Sequence, residues 1–393
     1  VPAWLVALAT GALVFYTDDY VIAGVIPEIA ADLGVSTALA GQLVTVFSLT
    51  VAVAAPVAAV LTARLRRRTV LTAAAAVFTA ANALAALAPG YEVLLGLRVV
   101  AALAAAAATP SLFSAAAQLA PPDRIGRHVA VVSFGVTGAI ALGVPVGTWV
   151  GGAWGWRATF ALMAVAGAGV TVAFAALVPR RAGAREALPV RAQLGVLARP
   201  AISVGLVANL VLMLGSMMLL TYLAPFAAGI TGTGTTGRGV LFALSGIAGM
   251  AGIWAGGRAT DRWGPDRTLL LGVAVFVVTM AALAVLWPLR PIPMAVLVPL
   301  AVVWGGAAFW NSPAVQARLH LLAGPVSPQA LALNTSGTYL GVAAGGAVGG
   351  LVIDAAGPGP LPAVSGVCGL VAVALFAFAA SRSGSARERS ITP

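Results

Sequence analysis

The sequence predicts an all-α integral membrane protein of twelve transmembrane helices arranged as two parallel six-helix repeats. Three observations predict it: 61% of the 393 residues are hydrophobic and only 8% are charged, long apolar runs recur from end to end, and the chain matches itself when slid by 198 residues. Soluble domains carry roughly 25% charged residues, and no water-soluble fold hides this much apolar surface. A bilayer core of roughly 30 Å takes about twenty helical residues to cross, so repeated spanning is the economical reading. The runs are long and continuously apolar, unlike the alternating strands of about ten residues that build membrane barrels.

The predicted spans are 4–26, 39–62, 69–88, 93–118, 129–152, 158–178, 201–228, 239–260, 268–287, 294–317, 329–353 and 363–381. Twelve spans put both termini on one face. All 22 basic residues are arginine, and eighteen fall on that face: Arg64, Arg66, Arg67 and Arg68 after span 2, Arg124 and Arg127 after span 4, five from Arg180 to Arg199, then Arg258, Arg262, Arg267, Arg318, Arg382, Arg387 and Arg389. Only Arg157, Arg238 and Arg290 stand opposite, and Arg98 lies inside span 4. The positive-inside bias makes the terminal face, and with it both termini, cytoplasmic.

The net charge of +11 is therefore a topology signal spread over short loops, and no nucleic-acid partner is expected. Span 1 is too long for a signal-peptide core and lacks a convincing cleavage site. The chain starts at Val1 without a methionine, so residues preceding it are expected. Cys368, alone in span 12, reads as packing. His128 and His320 sit at span ends and read as interfacial, and there is no HExxH. No metal, cofactor or catalytic residue is expected, which sets an intramembrane enzyme aside.

Under the 198-residue shift Leu142-Gly143-Val144 falls on Leu340-Gly341-Val342, Gly147 on Gly345, and Val150-Gly151-Gly152 on Val348-Gly349-Gly350. Pro27 falls on Pro225, Arg64 on Arg262 and Leu71 on Leu269, without a gap. Six spans per half preserve orientation, so the repeats are related by an axis along the membrane normal, with a binding site expected near mid-membrane. The expected domains are a bundle over 1–178, a basic linker over 179–200, a second bundle over 201–381 and a tail over 382–393. The halves differ in one respect: Asp18 and Asp19 become Ser216 and Met217, and Arg98 becomes Val296. Ionisable groups inside spans thus belong to the first half.

Asp18 and Asp19 precede Pro27-Glu28 by eight or nine residues, about 12–14 Å at 1.5 Å per residue, and Arg98 lies about 9 Å beyond Glu92. A charge at mid-membrane costs at least about 2.5–3.5 kcal/mol, so such residues face a cavity or a partner. Two readings are open: a proton path, or a fixed ion pair that locks spans 1 and 4. Adjacent helix positions point about 100° apart. Asp19 therefore shares a face with Ala12, Tyr16 and Ala23, and Asp18 with Gly11, Phe15 and Ile22. In span 5, Gly143, Gly147 and Gly151 recur every four residues along one face, and Pro145 removes a backbone donor that would otherwise hold the helix straight. Static packing is the alternative to a gating role for this run. Candidate substrate contacts are Tyr16 in span 1, Asn209, Met213, Met217 and Tyr222 in span 7, Trp304 and Asn311 in span 10, and Asn334, Thr338 and Tyr339 in span 11. Methionine and aromatic surfaces repack around varied lipophilic ligands while amides fix orientation, although each residue singly fits a core position as well.

Twelve spans in two halves, Arg98 in span 4, Gly143-Val144-Pro145-Val146-Gly147 in span 5 and the basic loop after span 2 resemble the major facilitator superfamily. Thr17-Asp18-Asp19-Tyr20-Val21-Ile22-Ala23-Gly24 followed by Pro27-Glu28-Ile29-Ala30, with Gly155-Trp156-Arg157, is similar to bacterial drug/proton antiporters of the chloramphenicol-resistance and sugar-efflux type. The resemblance covers essentially the whole chain. It implies the major facilitator fold, export of small lipophilic molecules in exchange for protons, and alternating access by a monomer among membrane lipids. A sugar or nucleoside exporter, or an inward proton symporter, is the runner-up, and a passive channel fits the topology but not the Asp19 and Arg98 pair. The resemblance aligns Asp19 with the family's single acid in span 1, which makes Asp19 the expected proton carrier and Asp18 its neighbour or substitute. Burial disfavours the Asp19 anion while Arg98, if near, favours it, so the balance can follow conformation. The family's loop pattern GxLaDRxGRxxxL uses glycine for close helix approach and an acid–arginine pair near the gate. The second half keeps Gly257, Asp261, Arg262 and Gly264; the first half has Ala59, Ala63 and Arg66 in place of glycine, acid and glycine, leaving Leu61, Arg64, Arg67 and Leu71. Arg64 to Arg68 are then open to binding lipid phosphates, binding a helix C-terminus, or acting as a topology signal alone. The resemblance also implies that the span-5 glycine run packs against the other half and closes the path.

Overall fold

The computed structural model describes residues 2–62, 65–121, 125–180, 195–323 and 327–389. Twelve of its helices are long and apolar enough to cross a membrane: α1 (Ala3–Leu33), α2 (Thr37–Ala58), α3 (Arg67–Ala85), α4 (Tyr91–Leu119), α5 (His128–Trp154), α6 (Trp156–Leu177), α7 (Pro200–Thr221), α8 (Thr235–Trp263), α9 (Pro265–Leu289), α10 (Met294–Ala323), α11 (Leu333–Ala356) and α12 (Leu361–Ala380). A helix satisfies every backbone polar group within its own segment, which hydrocarbon demands, and no strand occurs among the described residues. The predicted linker falls mostly at 181–194, outside the described residues, as does Arg64.

The chain folds as two units, Val1–Ala187 with Leu223–Pro225 and Thr233–Ala243, and Leu188–Tyr222 with Phe226–Gly232 and Leu244–Pro393. Within the first, α1 packs on α2, α5 and α6, α3 on α4 and α6, and α2 on α4. Within the second, α7 packs on α11 and α12, α9 on α10 and α12. Adding six to each label carries α1·α5, α1·α6, α3·α4 and α3·α6 onto α7·α11, α7·α12, α9·α10 and α9·α12, so the internal sequence repeat is a repeat of packing.

The structure departs from the predicted spans in three places, and two of the departures trace to proline. Helix α1 runs seven residues past its predicted end, carrying Pro27 inside it. The predicted span 201–228 breaks at Tyr222 (φ −107°, ψ 22°) and resumes as a short helix Leu223–Thr231, because Pro225 has no N–H to offer the carbonyl four residues back. In α5 the helix changes to a π turn over Ala139–Gly143 before continuing from Val144, immediately ahead of Pro145. Such a wide turn absorbs the bond that Pro145 cannot make, and π turns concentrate at functional sites.

Candidate functional site

Residues 17 to 19 of α1 point in three directions, because each step along the helix turns about 100°. Thr17 faces α5: a Cβ added at Gly143 would overlap the Thr17 side chain, one at Gly147 would overlap Val21, and one at Gly151 would overlap Val25. Reciprocally, a Cβ at Gly24 would overlap Thr148. The glycine face of α5 is thus the seat for a β-branched ridge of α1, a small-xxx-small contact. The expectation that this face packs against the other half is corrected, since it is turned onto α1 of the same half. Two other positions of α5 meet the start of α8: a Cβ at Gly152 would overlap Thr235, and the Pro145 carbonyl lies 3.9 Å from one placed at Gly239. Gly147→Val is expected to cost about 1–3 kcal/mol by overpacking. The readout is the thermal midpoint of purified protein, and an unchanged midpoint would show that the α1 ridge yields.

Asp18 faces α4. Arg98 Nη1 donates to Asp18 Oδ2 at 2.7 Å and Nη2 to the Asp18 backbone carbonyl at 3.2 Å, with Arg98 only 1% and Asp18 0% exposed. From α2, the Phe47 ring lies 4.3 Å beneath the guanidinium carbon, a cation–π contact that strengthens when dry. A charge-assisted bond to the carboxylate, with a second guanidinium bond to the backbone carbonyl, makes buried charge tolerable at this depth. The acid that Arg98 grips is therefore Asp18, the neighbour of the expected carrier. Asp19 is also buried, on the face it shares with Tyr16, whose ring stacks on Tyr20 at 6.4 Å.

Other polar ties in this unit join helix ends. Trp156 Nε1 donates to Asp32 Oδ2 at 3.0 Å, Arg157 pairs with the same carboxylate, and Arg157 Nη2 donates to the Ala88 carbonyl at 3.1 Å. Gly155, at φ 84°, makes the turn that delivers both side chains. Arg238 Nη2 donates to Glu28 Oε1 at 2.6 Å and contacts Thr235 Oγ1 at 2.8 Å. Nothing in the sequence signals that pair, which joins positions 210 apart. His128, at the start of α5, is buried and stacks on Trp4 at the start of α1, with ring centroids 5.6 Å apart.

In the second unit, Asn209 Nδ2 donates to Asn334 Oδ1 at 3.1 Å and Thr338 Oγ1 at 3.2 Å, so three candidate contacts meet across α7 and α11. Met213 lies beside Gly341 in the same helix contact, and Met217 is buried. Tyr222 is taken up by packing: its hydroxyl donates to the Gly346 carbonyl at 2.8 Å and its ring lies against Gly349. Trp304 and Asn311 are buried on α10, and Trp304 Nε1 and Asn311 Oδ1 have no hydrogen-bond partner among the described residues. Tyr339 is buried.

The loop pattern is corrected in two respects. A Cβ at Gly257 would meet nothing, and the close approach of α8 to α10 is made at Gly252 and Gly256, against the backbone of Gly306 and Trp310. Asp261 and Arg262 are exposed, and among the described residues the ion pair here is Asp266 with Arg318, at 2.8 Å. Arg318, counted as a loop arginine, is 3% exposed and also donates to the Ala201 carbonyl at 3.1 Å. Gly264 serves the turn into α9, at φ 81°.

Twelve apolar helices of membrane-spanning length, packed as two units that repeat one another, define a multi-pass membrane protein. The chain belongs to the Major Facilitator Superfamily, whose family model matches residues 8–326. It is 34% identical over 382 residues to a chloramphenicol resistance protein of Streptomyces lividans, covering 95% of this chain and 94% of that one. It is 33% identical to the inner membrane transport protein YdhP of Escherichia coli, covering 89% of each chain. Among solved structures, a D-xylose-proton symporter matches with a TM-score of 0.79 over 95% of this chain and 96% of that one, at 17% identity, a likeness of fold alone.

Proposed function

We propose that this transporter exports small lipophilic compounds, chloramphenicol-like antibiotics among them, in exchange for protons by alternating access. The observation that carries the reading is the buried constellation of Asp18, Asp19 and Arg98. Arg98 holds Asp18 by one carboxylate oxygen and by its backbone carbonyl, and a guanidinium beside a carboxylate favours the anion, so Asp18 is the less suited of the two acids to take up a proton. Asp19, one residue on and turned to the Tyr16 face, is therefore the carrier, with Asp18–Arg98 as its fixed companion. A site opened to the outside takes up a proton, and the inward-open site releases it as substrate binds. The protein works as a monomer in a bacterial inner membrane with both termini cytoplasmic, in line with the arginine bias.

The antibiotic class is favoured by the chloramphenicol resistance relative. A second reading has its own observation: the Asn209, Asn334 and Thr338 cluster would suit a polar sugar or nucleoside. Expression in an efflux-deficient bacterium separates them. Resistance to chloramphenicol-like compounds should rise several-fold, and Asn209→Ala or Trp304→Ala should change which compounds are exported more than they change expression. An unchanged antibiotic panel with altered sugar or nucleoside retention would replace the first reading by the second, and uniform loss of folded protein would return these residues to the core.

A further inference from the structure

A cavity of about 480 Å³ opens at the terminal-face ends of α3 and α6, with Arg66, Arg68, Thr72 and Arg180 at one end of its wall and Ala73 and Ala76 at the other. None of the described residues lining it is acidic. Arg68 is half-buried and spends one guanidinium nitrogen on the Ala175 carbonyl in the last turn of α6, which pins its head at the cavity wall and leaves other N–H groups of its five for a ligand. Arg66 and Arg180 are exposed at the mouth. Thr72 Oγ1 is buried with no hydrogen-bond partner among the described residues. The cavity also meets the start of α3, where Arg66 is the N-cap and no side chain caps the first turn. The first N–H groups of a helix have no partner within it, and their dipoles favour an anion.

The lining changes character along α3. Arginine and threonine occupy much of positions 66 to 72, and exposed Ala73, Ala76 and Val77 follow, flanked on α6 by exposed Val172 and Leu177. A small inorganic anion would use only the first part. An amphiphile with a phosphate at one end and hydrocarbon at the other would use both.

We propose that this cavity is a lipid site that takes the phosphate headgroup of an anionic phospholipid, with the acyl chain running along Ala73, Ala76 and Val77. Arg66, Arg68 and Arg180 supply the charge, and Thr72 with the first turn of α3 supplies neutral donors. The residues that replace the acid-containing loop pattern in the first half thereby have a ligand of their own.

The test titrates purified full-length protein in detergent with phosphatidylglycerol, with phosphatidylcholine and with inorganic phosphate, reading retained lipid by native mass spectrometry. Phosphatidylglycerol should be retained over phosphatidylcholine, and Arg66→Gln with Arg180→Gln should weaken that retention about tenfold or more. Arg258→Gln with Arg267→Gln removes the same charge from the same face elsewhere and should leave it unchanged. Thr72→Val, which removes one donor and no charge, should weaken it less and reports on the site if the double variant does not purify. Equal retention of the two lipids, equal loss in both double variants, or displacement of phosphatidylglycerol by millimolar phosphate would overturn the proposal, the last by making the ligand a free anion.

Discussion

In proteoliposomes with an imposed pH gradient, Asp19→Asn should transport substrate no faster than protein-free vesicles while still binding it. Asparagine keeps the size of the side chain and removes the titrating group. The helix contacts beside it, Thr17 on Gly143 and Asp18 on Arg98, need no adjustment. Binding should persist because the candidate contacts on α7, α10 and α11 are untouched. Proton movement measured in the same vesicles should vanish together with substrate movement, since exchange joins the two steps. Gradient-driven transport by Asp19→Asn at the wild-type rate would remove Asp19 from the mechanism and make Asp18 the carrier.

Arg98→Ala should lose transport and stability together. It leaves the Asp18 carboxylate, 0% exposed, without its counter-charge, and breaking a buried pair from one side costs about 3–5 kcal/mol. It also removes the guanidinium from the Phe47 ring. Asp18→Asn strands the arginine and should destabilise comparably. The double variant, with both charges gone, should recover much of the lost thermal midpoint without recovering transport if the pair serves the mechanism. Recovery of both would make Asp18–Arg98 a structural lock and nothing more. Arg98→Ala melting like the wild type would contradict the ion pair itself.

The bundle was legible because hydrocarbon imposes one rule, about twenty apolar helical residues per crossing, and because duplication wrote the rule twice. Local exceptions were harder to read. Pro27, Pro145 and Pro225 all lack an N–H, yet α1 runs through the first, α5 widens to a π turn before the second, and α7 breaks just before the third. Which outcome a proline produces depends on neighbours that accept or refuse the displaced carbonyl, and composition does not record them. The site was legible in its residues but not in its pairings. Charge inside a span marked Asp18, Asp19 and Arg98, while the choice of Asp18 depends on which way α1 is turned, and that is set by Thr17, Val21 and Val25 seating on three glycines. Arg318 shows the opposite limit: near a span end, an arginine that labels topology and one that is buried against Asp266 look alike in sequence.

The seating of α1 on α5 also bears on mechanical stiffness. A side-chain interface absorbs small displacements by rotamer changes, but glycines have no rotamers to spend, and at Gly135 the neighbour is the Ala9 backbone carbonyl itself. The two helices therefore slide past each other only by full repeats of the ridge, and over smaller distances they behave as one beam. The second half repeats the device, with Gly341 and Gly345 set against the backbone of α7 at Leu210 and Leu214. The break at Tyr222 lies beyond the Leu210 and Leu214 contacts, where the backbone has already given way. On the exchange mechanism proposed above, Asp18 and Asp19, carried on this part of α1, are expected to change their surroundings as cargo of the whole beam and not by motions of their own.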